Sequence, residues 1–112
     1  MYQAMKQLSH DQRTQLQAGH RPVLVISAEE VNQALPIVSF LSLTSLKLGR
    51  KVYPTETFLE ASVTGLPKDS IAMSHQIRAI SKECLGERCG SIDDEAVKER
   101  IKAATKTYLE LW

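Results

Sequence analysis

The sequence predicts a mainly β protein, a small barrel of short strands with one helix at its C-terminus. Three observations lead there. From Pro22 to Ile92, β-prone apolar runs follow one another at close spacing, with turn residues between them. From Asp93 onward the apolar period changes to that of a helix. The chain has 112 residues, 43% hydrophobic and 24% charged, which fits one domain, residues 1–112, with its own core.

Taken in order, residues 2–18 read as a helix. Tyr2, Met5, Leu8 and Leu16 fall on one face and Gly19 suits a C-cap, while Ser9 with Gln12 leaves two short turns as the other reading. Val23–Ser27 is the first strand. Val23 to Ile26 are consecutive apolar residues, mostly β-branched, as expected of a strand buried on both faces. Pro22 has no N–H for a ladder and marks that strand's first position. Ile37–Leu43 is a second strand and Val52–Leu59 a third. In the third, Val52, Pro54, Glu56 and Phe58 alternate with Tyr53, Thr55, Thr57 and Leu59, and Pro54 assigns it to an edge or a bulge. Residues 65–69 form a turn, Ser70–Met73 and Gln76–Ile80 are two further strand pieces, and Gly90–Ile92 closes the sheet. The helix at 93–111 is capped by Asp93 or Asp94. Lys98, Arg100, Lys102 and Lys106 follow the acidic first turn, as the helix dipole prefers, and Val97, Ile101, Ala104 and Tyr108 form its buried stripe.

Bulk charge excludes little. Fourteen Lys and Arg against thirteen Asp and Glu give +1, which carries no nucleic-acid signature by itself. The distribution is more telling: residues 44–51 hold Lys47, Arg50 and Lys51 and no acid. Cys84 and Cys89 have four residues between them, a spacing that fits neither CxxC redox chemistry nor a zinc site, so both read as reduced bystanders. Residues 1–17 lack the apolar core of a signal peptide, and no apolar run approaches the ~20 residues that span a bilayer. A cytoplasmic protein is expected.

The stretch Gly19-His20-Arg21-Pro22 holds the chemistry. The following proline narrows Arg21 to extended backbone at the mouth of a buried strand. A guanidinium fixed there matches phosphate or carboxylate with two parallel hydrogen bonds. The plainer alternative is that Arg21 caps the strand in solvent.

Four segments together resemble the MazF/PemK-type toxins. Gln17 to Ser27 resembles their loop and second strand, and Leu41-Ser42-Leu43-Thr44-Ser45 the next core strand with its terminal hydroxyl pair. Tyr53-Pro54-Thr55-Glu56 resembles their edge strand, and Asp69 to Ile80 their acid-Gln-Ile-Arg strand, with the terminal helix in the expected place. The resemblance runs from Gln17 to Leu111. It implies an SH3-like barrel of the MazF/CcdB type forming a homodimer. It also implies metal-independent cleavage of single-stranded RNA, without a cofactor, and a cognate antitoxin that occupies the same groove. By resemblance, the catalytic residues are Arg21 and Thr44. The ribose 2′-OH attacks phosphorus, Arg21 neutralises the growing charge and donates toward the leaving oxygen, and Thr44 holds the phosphate. His20, Ser45, Lys47, Arg50, Lys51, Gln76 and Arg78 are the expected RNA contacts.

Residues 1–18 are the atypical segment. The family opens with an apolar strand that Met1 to Leu16 does not reproduce, so the sheet is expected to lack its first strand and to have raw edges covered by the N-terminal helix or a partner. Leu16 stands where the family has a glutamate, and His75 where it has an acid before Gln76. These departures define a second reading, a barrel that binds RNA or an antitoxin without cutting. A topoisomerase poison on the same barrel is a third, resting on fold analogy alone. His20 with His75 as an acid–base pair is weighed against two bystander histidines, and the bystander reading is preferred.

Overall fold

The computed structural model describes residues 4–8 and 21–110. Its strands are β1 (Ala4–Leu8), β2 (Arg21–Val25), β3 (Ile37–Ser45), β4 (Glu56–Leu59), β5 (Ser70–Ser81) and β6 (Leu85–Ser91). The helices are α1 (Glu29–Ala34), α2 (Ala61–Thr64) and α3 (Glu95–Leu109), with a 3-10 turn at Lys82–Cys84. The strands form one sheet in the order β4-β5-β3-β2-β1-β6, paired antiparallel throughout.

The N-terminal helix and the missing first strand are both corrected by β1. Ala4–Leu8 is a strand, paired to β2 from Ala4↔Val25 to Leu8↔Arg21 and to β6 on its other side. Ala, Met, Lys, Gln and Leu are all good helix formers, so local preference pointed the wrong way. Pairing on both edges overrides it, because the strand's backbone groups find partners on two sides. The raw edge expected beside β2 is therefore covered by β1. The rest of the predicted helix, its capping pair and Gly19 lie outside the described residues.

The double-sided burial expected of Val23–Ile26 holds. Leu24 and Ile26 join Leu41, Leu43, Ile101 and others in the larger core, while Val23 and Val25 join Val38, Phe40 and Ile80 in a smaller one. Alternation along β2 and β3 sends successive side chains to opposite faces, and the two cores lie on either side of the sheet. On the larger face, α3 contributes Val97, Ile101 and Ala104. Asp94 caps it, its carboxylate accepting from the N–H groups of Ala96 (2.8 Å) and Val97 (3.2 Å). Tyr108 does not extend the buried stripe and stands exposed. Thr105 is buried instead, its Oγ1 2.9 Å from Ser74 Oγ.

The third strand is shorter than expected. Residues 52–55 turn, with Glu56 N–H donating to the Tyr53 carbonyl at 2.8 Å, and only Glu56–Leu59 pairs with β5. It is an edge strand, one of the two placements expected from Pro54, which itself lies in the turn before it. The two pieces expected at 70–73 and 76–80 are one strand with an irregularity between them. Leu41 pairs with Ile77 but the adjacent Ser42 pairs with Met73, so Ser74, His75 and Gln76 bulge from the ladder. Helices α1 and α2 were not expected. The first carries Glu29 and Glu30 in its opening turn, and the second ends on Gly65 in the left-handed region at φ 82°.

Candidate functional site

Strands β2 and β3 pair at Val23↔Ser42, Leu24↔Leu41 and Val25↔Phe40. Continued by two residues, that register runs to Arg21 at the start of β2 and Thr44 near the end of β3. The backbone position of Arg21 is fixed on its other side by Leu8. Thr44 is half-buried and faces Ile71 across the ladder, and Ser45 beside it is exposed opposite Ser70. The two residues expected to act on phosphate thus belong to adjacent strand ends. The Arg21 side chain, His20 and Leu16 lie outside the described residues.

Thr44 alternates with Val38, Phe40 and Ser42, so it shares the smaller-core face. Arg78 pairs with Phe40 and occupies the same face. It lies four residues along β3 from Thr44, about 13 Å at the usual strand rise. Gln76 is exposed in the bulge. His75, beside it, has Nδ1 3.3 Å from Thr55 Oγ1, which ties it to the turn before β4.

The cationic loop divides into two kinds of residue. Lys47 and Lys51 are exposed, and neither has a carboxylate partner among the described residues. Arg50 is different. Its Nη1 and Nη2 donate to Glu56 Oε1 and Oε2 at 3.0 and 2.9 Å, and Nη1 also donates to the Lys51 carbonyl. Tyr53 N–H donates to Glu56 Oε1 at 3.1 Å. The Glu56 side chain is 2% exposed and that of Arg50 28%, so the pair is a staple with one end in water. Hydrogen bonding from Arg50, then the Tyr53 N–H and the nearby charges, holds the Glu56 carboxyl below the usual carboxylate range despite burial that opposes this. The same hydrogen bond raises the Arg50 guanidinium further above its ordinary value. Arg50 therefore shapes the loop, with its guanidinium engaged by Glu56.

Glu56 is the residue sequence reasoning missed. It follows a run of three cations with no acid, and a carboxylate in a strand that packs on the sheet needs a partner. Among the described residues no group of three or more His, Cys, Asp and Glu is placed to hold a metal ion, and no helix is long and apolar enough to cross a membrane.

Comparison with known proteins agrees with this fold. An endoribonuclease MazF of Staphylococcus saprophyticus is 32% identical over 83 residues, covering 74% of this chain and 68% of its own length. The endoribonuclease EndoA of Bacillus subtilis is 30% identical over 95 residues, covering 85% and 80%. A solved structure titled as an endoribonuclease in complex with its cognate antitoxin, from a mycobacterial species, superposes with a TM-score of 0.77. It is 23% identical and covers 97% of this chain and 93% of that one, a likeness of fold. The family model for PemK-like, MazF-like toxins of type II toxin–antitoxin systems matches residues 5–107, from within β1 to within α3. With that match spanning nearly the whole sheet and its helix, the chain belongs to the PemK-like, MazF-like toxin family.

Proposed function

We propose that this chain is a toxin endoribonuclease of the cytoplasm that cuts single-stranded RNA through Arg21 and Thr44 and is neutralised by a cognate antitoxin. The observation that supports it is the register carrying Arg21 and Thr44 to adjacent strand ends. The ribose 2′-OH gives its proton to solvent and attacks the adjacent phosphorus, the bond to the 5′-oxygen breaks and that oxygen takes up a proton, so that a 2′,3′-cyclic phosphate and a 5′-hydroxyl result. Arg21 neutralises the charge on the phosphoryl oxygens as it grows, and the Thr44 hydroxyl donates to one of them. Donors of this kind, aimed at the charge that develops on the phosphoryl oxygens, supply most of the acceleration. Ser45, Lys47, Lys51 and His20 hold the flanking phosphates, and Gln76 and Arg78 a more distant part of the strand. The active unit is a homodimer.

The non-cutting reading rested partly on an absent first strand, and β1 removes that ground. The test is to incubate the wild-type chain and Arg21→Ala with mixed-sequence single-stranded RNA in EDTA and sequence the new ends. Cleavage by the wild type, slowed by about 10²–10³ in the variant, is expected. Equal cutting by both would exclude Arg21, and no cutting by either would exclude the activity.

A further inference from the structure

The loop from Leu46 to Thr55 presents an exposed aromatic ring among free cations. Tyr53 is 56% exposed, and Val52 and Leu48 of the same loop are exposed as well. Lys47 and Lys51 are the loop's unpaired cations among the described residues, because Glu56 takes Arg50. The loop's conformation is held at three points. Arg50 N–H donates to the Lys47 carbonyl at 3.0 Å, Glu56 N–H to the Tyr53 carbonyl at 2.8 Å, and Tyr53 N–H to the buried Glu56 carboxylate at 3.1 Å. Pro54 restricts Tyr53 further to extended backbone. An exposed tyrosine is thus anchored through both its own N–H and its own C=O.

Position connects this ring to the cleavage site. Glu56, which anchors Tyr53, pairs with Met73, and Met73 pairs with Ser42, two residues before Thr44. Two strand spacings separate Glu56 from Ser42, about 10 Å. A single strand whose scissile phosphate rests at Thr44 reaches the loop with its neighbouring nucleotides.

Resting on the endoribonuclease reading, we infer that Tyr53 is a stacking platform for a base flanking the cleaved phosphate, with Lys47 and Lys51 on the adjoining phosphates and the Arg50–Glu56 pair as its mount. The chemistry is that of sequence-tolerant single-strand binding. Any base offers a π-face to an aromatic ring, and cations beside the ring take the backbone charge. Arg50 neutralises the one acid at the loop's foot, so nothing in the loop repels phosphate.

The test measures binding of a fluorescein-labelled, mixed-sequence oligonucleotide with 2′-O-methyl at every ribose, which cannot be cut. Tyr53→Phe and Tyr53→Trp are expected to bind within about twofold of wild type. Tyr53→Leu, which keeps apolar area but no π-face, and Tyr53→Ala are expected to weaken binding about tenfold at unchanged salt dependence, in the range of one base stack. Lys47→Ala and Lys51→Ala should each lower the salt slope by about one unit. Wild-type affinity in Tyr53→Leu overturns the platform. So does a Tyr53→Ala chain that sediments as a smaller species while each protomer binds as before, since the ring then serves a second copy of the chain. A wild type that binds the probe but leaves RNA uncut defeats the nuclease reading and leaves the platform measurable, whereas a wild type that binds nothing defeats both.

Discussion

Along β2 and β3, successive side chains enter one apolar core or the other, while nearly every residue of 46–55 is exposed. The two regions adjoin in sequence and together make the candidate site, yet different forces hold them. Leu24, Leu41 and Phe40 are excluded from water and hold the strand ends by burial and ladder hydrogen bonds. The loop is held by one carboxylate with three N–H groups on it. Strand ends held by burial and ladder hydrogen bonds keep their spacing through salt and pH changes. A loop that rests on a buried ion pair is open to acid, which protonates Glu56, more than to salt, which screens a buried pair little.

The largest break in that contrast comes from the stem. Phe40, 1% exposed, anchors the smaller core beneath the face that carries Thr44. Phe40→Ala is expected to cost about 3–5 kcal/mol, read by urea unfolding monitored at several probes. A loss below 1 kcal/mol would mean that face is not packed as described. Next comes the staple. Glu56→Gln keeps the shape but weakens charge-assisted hydrogen bonds, for about 1–2 kcal/mol, with faster amide exchange confined to residues 47–55. Exchange that rises equally in β2 and β3 would show the regions are not separable.

The staple also carries a pH dependence. Glu56 titrates lower in the folded protein than in the unfolded chain. Its contribution is present above the usual carboxylate pKa and is lost as pH falls through the depressed value. The stability gap between wild type and Glu56→Gln is expected to stay constant from neutral pH down to that range and to close in stronger acid. A gap that persists unchanged to the acid limit would place the carboxylate outside the pair.

How legible each region was follows from the same physics. Val23–Ile26 announced itself because four adjacent apolar residues need two cores, and the cap was narrowed to Asp93 or Asp94, the structure's choice, because a cap is a local event. Pro54 left an edge or a bulge open, and since it lies in the turn before β4 the edge position comes from β4 pairing with β5 alone. The β1 segment was misread since Ala4–Leu8 is strand only through β2 and β6, residues distant in sequence. The bulge at Ser74–Gln76 is likewise set by what Ser74 meets, Thr105 on α3 and the Thr55 carbonyl. At the site, the roles of Arg21 and Thr44 came from resemblance, and the antiparallel β2 and β3 place their backbones at the same end of the sheet. The pairing of Arg50 was not legible, because a run of cations shows no sign of which one folds back on an acid six residues ahead.

The smallest expected effect isolates burial from distance. Glu99 on α3 accepts from Lys102 at 3.0 Å, nearly the 2.9 Å of Arg50 to Glu56. The Glu99 side chain is 67% exposed where that of Glu56 is 2% exposed. Water screens the first pair and solvates either partner when the other is lost, so Glu99→Gln is expected within about 0.5 kcal/mol of wild type. The same substitution at Glu56 removes an acceptor that solvent cannot replace, because the carboxylate lies beneath its own loop. Measured side by side in low and high salt, Glu99→Gln should show a small effect that vanishes with salt. Glu56→Gln should show a larger one that mostly remains. Equal losses at both sites would mean that proximity of charge alone holds the loop, and that the stem and the loop differ only in sequence.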